Sequence, residues 1–471
     1  MTSATATAVS GRSSRTLVHW EPEDEAFWQA RGRAVARRNL WISIPALLLS
    51  FAVWMVWSVV VVRLPEVGFP YTTDQLFWLA ALPGLSGATL RVFYAFLVPI
   101  FGGRLWTVVS TASLLVPAVG IGVAVQDPTT SYGTMLALAL LCGFGGGNFA
   151  SSMANITFFF PKAEKGTALG LNAGLGNLGV STMQFVVPLV VTVGVFGGLG
   201  GAPQKLGKVG APPVWLQNAG YVWVPFIVAC VFAAWLGMND IASAKASFRD
   251  QAVIFRRKHN WIMCWLYSGT FGSFIGFSAG LPLLVKALFP GVNPMKYAFL
   301  GPLVGALARP VGGWLSDKLG GARVTLWNFV AMAVFAAGVL AFVPGGGTAG
   351  SFSGFLAMFL LLFLTTGIGN GSTFRMVPVM FLTQHERLAA GRGPDAVARA
   401  RKDAAKEAAA VIGFTSAIAA YGAFFIPRAF GTSMKLSGSP AAAIVGFVAV
   451  YLSCIAITWW FYARRGAELP C

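Results

Sequence analysis

The stretch LSGATLR, residues 85–91, decides the fold class, because it places the charged Arg91 inside an otherwise uncharged run that extends over residues 77–101. The stretch LVGALAR, residues 303–309, repeats the pattern L-x-G-A-x-x-R in the second half of the chain. A permanent charge at equivalent places in two apolar segments is typical of a repeated membrane segment that faces a polar interior.

Two further matches support this repeat. Paired glycines follow both arginines, in FGGRLW (101–106) and LGGARV (319–324), and the offset between these two stretches equals the offset between the arginines. The stretches GGGNF (145–149) and GIGNG (367–371) are separated by nearly the same length of chain. Nearly equal offsets in independent motifs predict two repeats with a pathway between them.

Composition indicates a membrane protein of helical type. The 471 residues are 56% hydrophobic and 11% charged, with a mean hydropathy of +0.69, whereas soluble domains carry roughly 25% charged residues. Alternating ten-residue segments typical of porin barrels are not seen. We predict an all-α membrane protein with twelve transmembrane helices in two six-helix repeats, at about 40–63, 75–100, 105–125, 132–160, 166–193, 214–238, 260–288, 295–315, 324–344, 354–382, 408–427 and 441–462.

The net charge of +18 could suggest a nucleic-acid partner, but its distribution predicts otherwise. About 24 of the 34 Lys and Arg residues fall in the two termini and in every second loop, which is the positive-inside pattern. This pattern predicts cytoplasmic termini and a cytoplasmic loop around Arg249, Arg256, Arg257 and Lys258, with the bilayer and no nucleic acid as partner.

The same pattern divides the chain into regions. Acidic residues open and basic residues close the segment before the first span, as in a helix lying on the membrane surface. We predict a cytoplasmic segment with a surface helix (1–39), a first half (40–238), a cytoplasmic linker (239–259), a second half (260–462) and a cytoplasmic tail (463–471).

Neither metal nor enzyme chemistry is indicated. The five cysteines are scattered without a C-x-x-C pair, and the three histidines lie at or outside the edges of the spans. We therefore expect no metal, no cofactor and no catalytic residue.

The loop after span eight carries the sequence GGWLSDKLGGAR, residues 312–323. Its pattern G-x-x-x-D-x-x-G-x-x-R predicts a gate, in which Gly313 allows close helix approach while Asp317 and Arg323 supply charges. An ordinary charged turn is the alternative. In the first half, Pro99 occupies the position equivalent to Asp317.

Every Asp and Glu can be placed in a predicted loop or terminus, which leaves no carboxylate to neutralise Arg91 and Arg309. Two such arginines predict a binding site for a small anion, and the guanidinium fork suits a planar oxyanion. Snorkelling or bonding to backbone carbonyls is the alternative, and for Arg375, near the cytoplasmic end of span ten, both readings stay open.

Span five contains GTALGLNAGLGNLG, residues 166–179, which includes G-x-G-x-x-G. Without a preceding strand and a following acidic residue, this is not a dinucleotide site. The glycines instead predict close helix packing, with Asn172 and Asn177 as amide donors. Tyr267 and Phe271, four residues apart on span seven, share one helix face.

Several stretches together resemble the nitrate/nitrite porters of the major facilitator superfamily, in particular the bacterial NarK-type exchangers. The resemblance covers nearly the whole chain and rests on the motifs above and on WEPEDEAFWQARGRAVARRNLWIS (20–43), CGFGGGNFASSMANITFFFPK (142–162), FGSFIGFSAG (271–280) and GNGSTFRMVP (369–378). It implies a nitrate and nitrite site at the membrane centre formed by Arg91, Arg309, Phe149, Phe271, Tyr267, Asn177, Ala173 and Gly413, with Asn172 beside them. Ala173 replaces a usual glycine and Arg375 a usual amide.

We expect a monomer in the cell inner membrane that takes part in nitrate assimilation. We expect nitrate/nitrite antiport by a rocker switch, since two facing guanidiniums without an anion would repel each other. Nitrate/proton symport is the first alternative, although no intramembrane carboxylate or histidine is found to carry the proton. A phosphate or organic-phosphate antiporter and a transport-inactive anion sensor are the others.

Overall fold

The computed structural model describes residues 15–206, 212–242, 252–345 and 350–471. Arg249 and residues 1–14 of the predicted terminal segment lie outside the described residues. Within the described ranges, twelve helices are long and apolar enough to cross a membrane, which confirms the predicted all-α multi-pass fold. In chain order, α1 to α12 are Glu25–Val67, Thr73–Tyr94, Gly103–Ala124, Tyr132–Phe159, Lys162–Val190, Asn218–Gly237, Lys258–Leu288, Pro294–Leu319, Gly321–Leu340, Phe352–Ala389, Pro394–Ser437 and Ala441–Ala463.

Several of these helices are interrupted, and α2 continues to Phe101. The most informative interruption is a π turn in α7 at Ser268–Gly272, between Lys258–Tyr267 and Ser273–Leu288. The other segments are Arg33–Met55 and Trp57–Arg63 in α1, Gly103–Ala112 and Leu115–Ala124 in α3, Tyr132–Leu141 and Gly143–Phe159 in α4, Asn218–Tyr221 and Val224–Gly237 in α6, Leu300–Leu319 in α8, and Pro394–Ala420 and Gly422–Ser437 in α11.

Two regions are more helical than the sequence predicted. The helix expected on the membrane surface is continuous with the first span, because a π turn at Trp28–Gly32 connects them. Trp28 is buried there, and its Nε1 donates a hydrogen bond of 3.1 Å to Glu164 Oε1. At the other site, α10 and α11 extend through most of residues 384–407, where the sequence, rich in Ala, Arg and Lys, predicts a loop that is only partly helical.

The repeat is visible in the backbone at the start of α3 and α9. Gly102 has a φ of +88° and Gly320 one of +89°, a conformation that only glycine adopts readily. The next turn is capped equivalently: Arg104 N donates to Asp240 Oδ1 (2.8 Å), and Ala322 N donates to the backbone oxygen of Cys471 (3.0 Å). Although Pro99 removes the acid from the first copy of the loop motif, Asp240 supplies one from the segment after α6.

Segments outside the spans are held against them. Strand β1 (Thr16–Leu17) pairs in parallel with β2 (Asp240–Ile241), so the chain before α1 is joined to the chain after α6. Short 3-10 turns lie at Gly197–Gly200 and Ala252–Arg256. One continuous core of buried apolar side chains draws on nearly all of the spans.

Candidate functional site

Arg91 lies fully buried on α2 and binds backbone oxygens of two other helices. Its Nε donates to the Gly146 carbonyl on α4 (2.9 Å), and its Nη1 donates to the Ser416 carbonyl on α11 (3.2 Å). The second bond crosses from one half of the chain to the other. The remaining nitrogen, Nη2, is buried and has no hydrogen-bond partner. A buried charged donor without a partner is costly, which marks Nη2 as a position for a ligand.

Aromatic rings surround the Arg91 guanidinium. Its Cζ lies 4.8 Å from the ring centre of Phe149, 5.1 Å from Trp54 and 5.7 Å from Phe271. Trp54 is fixed by an Nε1 hydrogen bond of 2.6 Å to the Pro83 carbonyl. These cation–π contacts hold the arginine in a desolvated cage without neutralising its charge.

Arg309 of α8 supplies the second cation. Its Nη2 donates to the Tyr267 hydroxyl oxygen at 3.3 Å, and its Cζ lies 5.0 Å from the ring centre of Phe374. Its Nη1 is buried without a hydrogen-bond partner, as Nη2 of Arg91 is. Each half therefore contributes one guanidinium nitrogen that is available to an anion.

Tyr267 and Phe271 connect the two cations. Their rings are nearly parallel, with 10° between the planes and 5.4 Å between the centroids. Phe271 lies in the π turn of α7, a helix type that recurs at functional sites. Through these two rings, the cation–π contact of Arg91 is joined to the hydrogen bond of Arg309.

Neither arginine has a carboxylate within 4 Å among the residues that the structure describes. Glu407, which the sequence placed in a loop, is instead buried on α11. It pairs with Arg257 (2.5 Å) and His385 (2.8 Å), so its charge is satisfied elsewhere. The two site cations thus keep their charge for a ligand.

The other predicted site residues lie on neighbouring helices. Asn172 donates to Ser152 Oγ (2.9 Å), which lies one turn beyond Phe149 on α4. Asn177 is buried with an unpartnered Oδ1, and Ala173 is also buried. The Gly413 carbonyl accepts a hydrogen bond from Ser416 Oγ (2.8 Å), and the Ser416 carbonyl in turn accepts from Arg91. Among the described contacts, the four predicted residues themselves form no direct hydrogen bond to either arginine.

The glycines of α5 and α11 have two different surroundings. An added Cβ at Gly176 would lie 2.6 Å from the Leu47 side chain, and one at Gly179 would lie 2.9 Å from Phe51 Cβ, so these two glycines pack against α1. At Gly170, Gly174 and Gly413, an added Cβ would meet nothing within 4 Å. Only part of the glycine-rich face therefore serves helix packing, while the rest faces open space.

The three predicted gate residues are not joined to one another in this conformation. Asp317 forms an ion pair with Arg375 of α10, and both side chains are about half exposed. Arg323 is exposed, and none of the described residues pairs with it. An added Cβ at Gly313 would meet nothing within 4 Å, but the Gly313 backbone N lies 2.6 Å from an added Cβ at Gly371 of α10. Gly312 also packs against α10, since an added Cβ there would lie 2.7 Å from the backbone of Ile368.

Ion pairs join the two halves at the end of the bundle opposite the termini. Glu66 pairs with Lys286 (2.6 Å), and Asp74 pairs with Arg428 (2.9 Å) and Lys435 (3.5 Å). Each of the other ion pairs among the described residues lies within one half. Among the described residues, ion pairs between the halves therefore lie at one end of the bundle only.

Sequence reasoning missed Trp54, Phe374 and the carbonyls of Gly146 and Ser416. Phe374 directly precedes Arg375, and its aromatic side chain beside a charged residue is a signal in the sequence that could have indicated it. Trp54 sits in a uniformly apolar run, where no pattern distinguishes it from core residues.

Comparisons with known proteins agree with this architecture. The sequence profile of the Major Facilitator Superfamily matches residues 42–393. The nitrate/nitrite transporter NarU of Escherichia coli (strain K12) is 54% identical over 459 residues, covering 96% of this chain and 98% of that protein. The probable nitrate/nitrite antiporter NarK2 of Thermus thermophilus is 43% identical over 97% of this chain and 98% of its own length. The nitrite extrusion protein of Bacillus subtilis (strain 168) is 24% identical over 91% and 95%.

Proposed function

Because this chain belongs to the Major Facilitator Superfamily and, within it, to the nitrate/nitrite porters, we propose that it transports nitrate and nitrite across the cell inner membrane by exchanging one anion for the other. The protein works as a monomer with both termini in the cytoplasm. The charge distribution along the chain supports this orientation.

One observation carries the proposal: Arg91 and Arg309 come from different halves, and each leaves one buried guanidinium nitrogen without a partner. An oxyanion that accepts hydrogen bonds from both nitrogens satisfies both donors at once. The Tyr267 hydroxyl, which already accepts from Arg309, has its own proton left to donate to the same anion.

The walls of the site favour a thin, planar ion. Phe149 and Phe271 present ring faces to Arg91, and the Tyr267 ring is nearly parallel to that of Phe271. Nitrate is planar and nitrite is bent within a plane, so both fit between ring faces. A tetrahedral phosphate carries more charge and more acceptor oxygens, and no lysine or histidine adds donors to the described contacts of either arginine.

Exchange follows from the charge of the empty site. Without an anion, two cations remain desolvated close to the interface of the halves, which disfavours closure around them. A bound anion compensates both and permits the change of access in either direction. Proton symport would need a group that titrates within the spans, and the site cations have no carboxylate partner to serve in this role among the described residues.

The access change is a rocking of the two halves. The ion pairs of Glu66 and Asp74 join the halves at the side opposite the termini, which supports a conformation that is closed to the outside. Outward opening breaks these pairs, and the faces around Gly313 and Gly413, which now meet open space, approach their neighbours.

Counterflow in proteoliposomes tests the proposal. Vesicles loaded with nitrite, with nitrate or with neither receive labelled nitrate outside, with and without an inwardly directed proton gradient. We expect uptake only into vesicles that contain nitrite or nitrate, and no competition by phosphate. Uptake into empty vesicles driven by the proton gradient would establish symport instead, and equal competition by phosphate would make this an antiporter of phosphate compounds.

A further inference from the structure

Three arginines converge at the terminus side of the bundle, away from the anion site. Arg15 precedes β1, Arg38 lies on α1 and Arg104 lies at the start of α3. All three are arranged around the end of α6 and the residues that follow it. We call this group the arginine cluster.

Direct hydrogen bonds define the cluster. Arg15 Nη1 and Arg104 Nε both donate to the Trp235 carbonyl, at 2.6 and 3.2 Å. Arg38 Nη2 donates to Asn239 Oδ1 at 2.7 Å. These bonds bring three positive charges to the last turn of α6 and its two following residues, where the helix dipole favours cations.

The backbone holds the cluster in place. Asp240 N donates to the Arg15 carbonyl (3.0 Å), as part of the β1–β2 pairing, and Asn239 Nδ2 donates to the same carbonyl (3.2 Å). Asn239 N in turn donates to Asn39 Oδ1 (2.9 Å), next to Arg38 on α1. The arrangement is therefore built by the fold and does not depend on free surface side chains.

The cluster carries uncompensated charge. Within the described residues, none of the three arginines has a carboxylate within 4 Å of its guanidinium. The carboxylate beside them, Asp240, accepts the Arg104 backbone N–H at the start of α3. Since a guanidinium has five N–H donors, each arginine keeps donors for a phosphate group.

An exposed apolar surface adjoins these charges. Trp235 is 46% exposed, and its ring centre lies 4.4 Å from the Arg104 Cζ. Leu236 and Trp41, the latter one turn from Arg38, are 61% and 58% exposed. All three side chains belong to membrane-crossing helices, so charges at the membrane edge sit directly above a surface that meets acyl chains.

We propose that the arginine cluster is a binding site for an anionic phospholipid of the leaflet on the terminus side. The headgroup phosphate binds Arg15, Arg38 and Arg104, and the acyl chains lie against Trp235 and Trp41. Combined cationic and apolar surface suits a lipid better than a nucleic acid or an acidic peptide, neither of which has chains to cover the tryptophans.

Native mass spectrometry of the full chain in neutral detergent tests the site. The protein is titrated with phosphatidylglycerol, with phosphatidylcholine and with inorganic phosphate. We expect tighter binding of phosphatidylglycerol than of phosphatidylcholine, and no displacement by inorganic phosphate. The variant R15Q/R38Q/R104Q should weaken phosphatidylglycerol binding by about tenfold or more, because each Lys or Arg near an anionic lipid contributes roughly fivefold to the affinity.

The matched control is R399Q/K402Q/K406Q, which removes the same charge from exposed positions on α11 that have no ion-pair partner in the described chain. It should bind phosphatidylglycerol as the unchanged protein does. If the triple cluster variant melts earlier in lipid-free detergent, R38Q alone, which loses one partly buried hydrogen bond to Asn239, replaces it and should weaken binding severalfold. Equal binding by cluster and control variants, or displacement by inorganic phosphate, would show that the cluster is not a lipid site.

Discussion

The ring of Phe271 lies under the guanidinium of Arg91, with 5.7 Å from its centre to Cζ, and is stacked on Tyr267, which accepts a hydrogen bond from Arg309. The two cations of the site are thus related through one helix, α7. An anion held by both arginines would lie beside Phe271, which belongs to the π turn of this helix. Occupancy of the site can therefore be coupled to a change in α7.

Replacing either site arginine by lysine tests recognition by the guanidinium fork. Arg91→Lys keeps the charge, but its single ammonium nitrogen cannot occupy the separate positions from which Nε and Nη1 reach the Gly146 and Ser416 carbonyls and Nη2 reaches the anion. Loss of one charge-assisted hydrogen bond costs about 1.5–3 kcal/mol, so we expect counterflow to fall roughly 10- to 100-fold.

Arg309→Lys should have a similar effect, because it loses the bond to Tyr267. The exposed residue Arg399, whose Nε binds only a backbone oxygen of its own helix, provides the control as Arg399→Lys. Normal nitrate counterflow in either site variant would refute recognition by a bidentate fork.

Phe271→Ala should reduce selectivity more than stability. The change removes the ring between Arg91 and Tyr267 and opens space for thicker anions. We expect chlorate or phosphate to compete with nitrate in the variant, measured as inhibition of labelled nitrate counterflow. Phe277→Ala, which removes another buried ring of α7 one and a half turns away, is the control for general loss of packing. If both variants show the same selectivity between nitrate and thicker anions, Phe271 serves only in packing.

The sequence was sufficient for the twelve spans and for both arginines. Hydropathy identifies spans because backbone groups in lipid must be satisfied within a helix, and a charge inside an apolar run is conspicuous. The repeated pattern L-x-G-A-x-x-R predicts that Arg91 and Arg309 occupy equivalent positions in the two repeats, and the matching turns at Gly102 and Gly320 agree with this equivalence.

Partners that are distant in sequence could not be found in this way. One of the two acceptors of Arg91 is the carbonyl of Ser416, 325 residues away, and a backbone oxygen has no signature in the sequence. The ion pair of Asp74 with Arg428 joins the ends of two helices. In the sequence, each end shows only the polar residues that are usual at the boundary of a transmembrane span. Which side of a carrier is closed depends on its conformation, and a sequence does not specify it.

Asp74→Asn should shift the carrier toward the outward-open conformation. Asp74 is paired with Arg428 and Lys435 across the halves, and both partners lose their carboxylate in the variant. In a variant without the five native cysteines, a cysteine introduced at Ser278 reports outer access through its labelling rate, because Ser278 is buried and its carbonyl accepts a hydrogen bond of 2.8 Å from Gln184 of the other half. We expect faster labelling from outside in Asp74→Asn, and no change in Asp395→Asn, which removes an acid at the exposed start of α11. Equal rates would show that these ion pairs do not hold the outer side closed.

The ion pair of Asp317 with Arg375 should be energetically modest and measurable by a double-mutant cycle. Both side chains are about half exposed. We therefore expect a coupling free energy between the two substitutions of about 1 kcal/mol or less, which corresponds to at most roughly a fivefold effect on the counterflow rate. Asp317→Asn and Arg375→Gln should each change the salt dependence of counterflow, because each leaves an unpaired, half-exposed charge. The double variant should return toward the unchanged protein; additive effects of the two changes would mean that the pair does not act as a unit.

Two glycines on α5 give opposite predictions for the same substitution. Gly179→Ala places a methyl group 2.9 Å from Phe51 Cβ and from the backbone carbon of Leu48, a contact that α1 must move to accept. Overpacking of this kind costs about 1–3 kcal/mol, so the variant should melt at a clearly lower temperature in detergent. Gly174→Ala meets nothing within 4 Å and should keep the melting temperature, or raise it slightly through its better helix propensity. If Gly174→Ala nevertheless slows counterflow, its face must approach another helix during the transport cycle, whereas full activity together with full stability would show that this face stays open throughout.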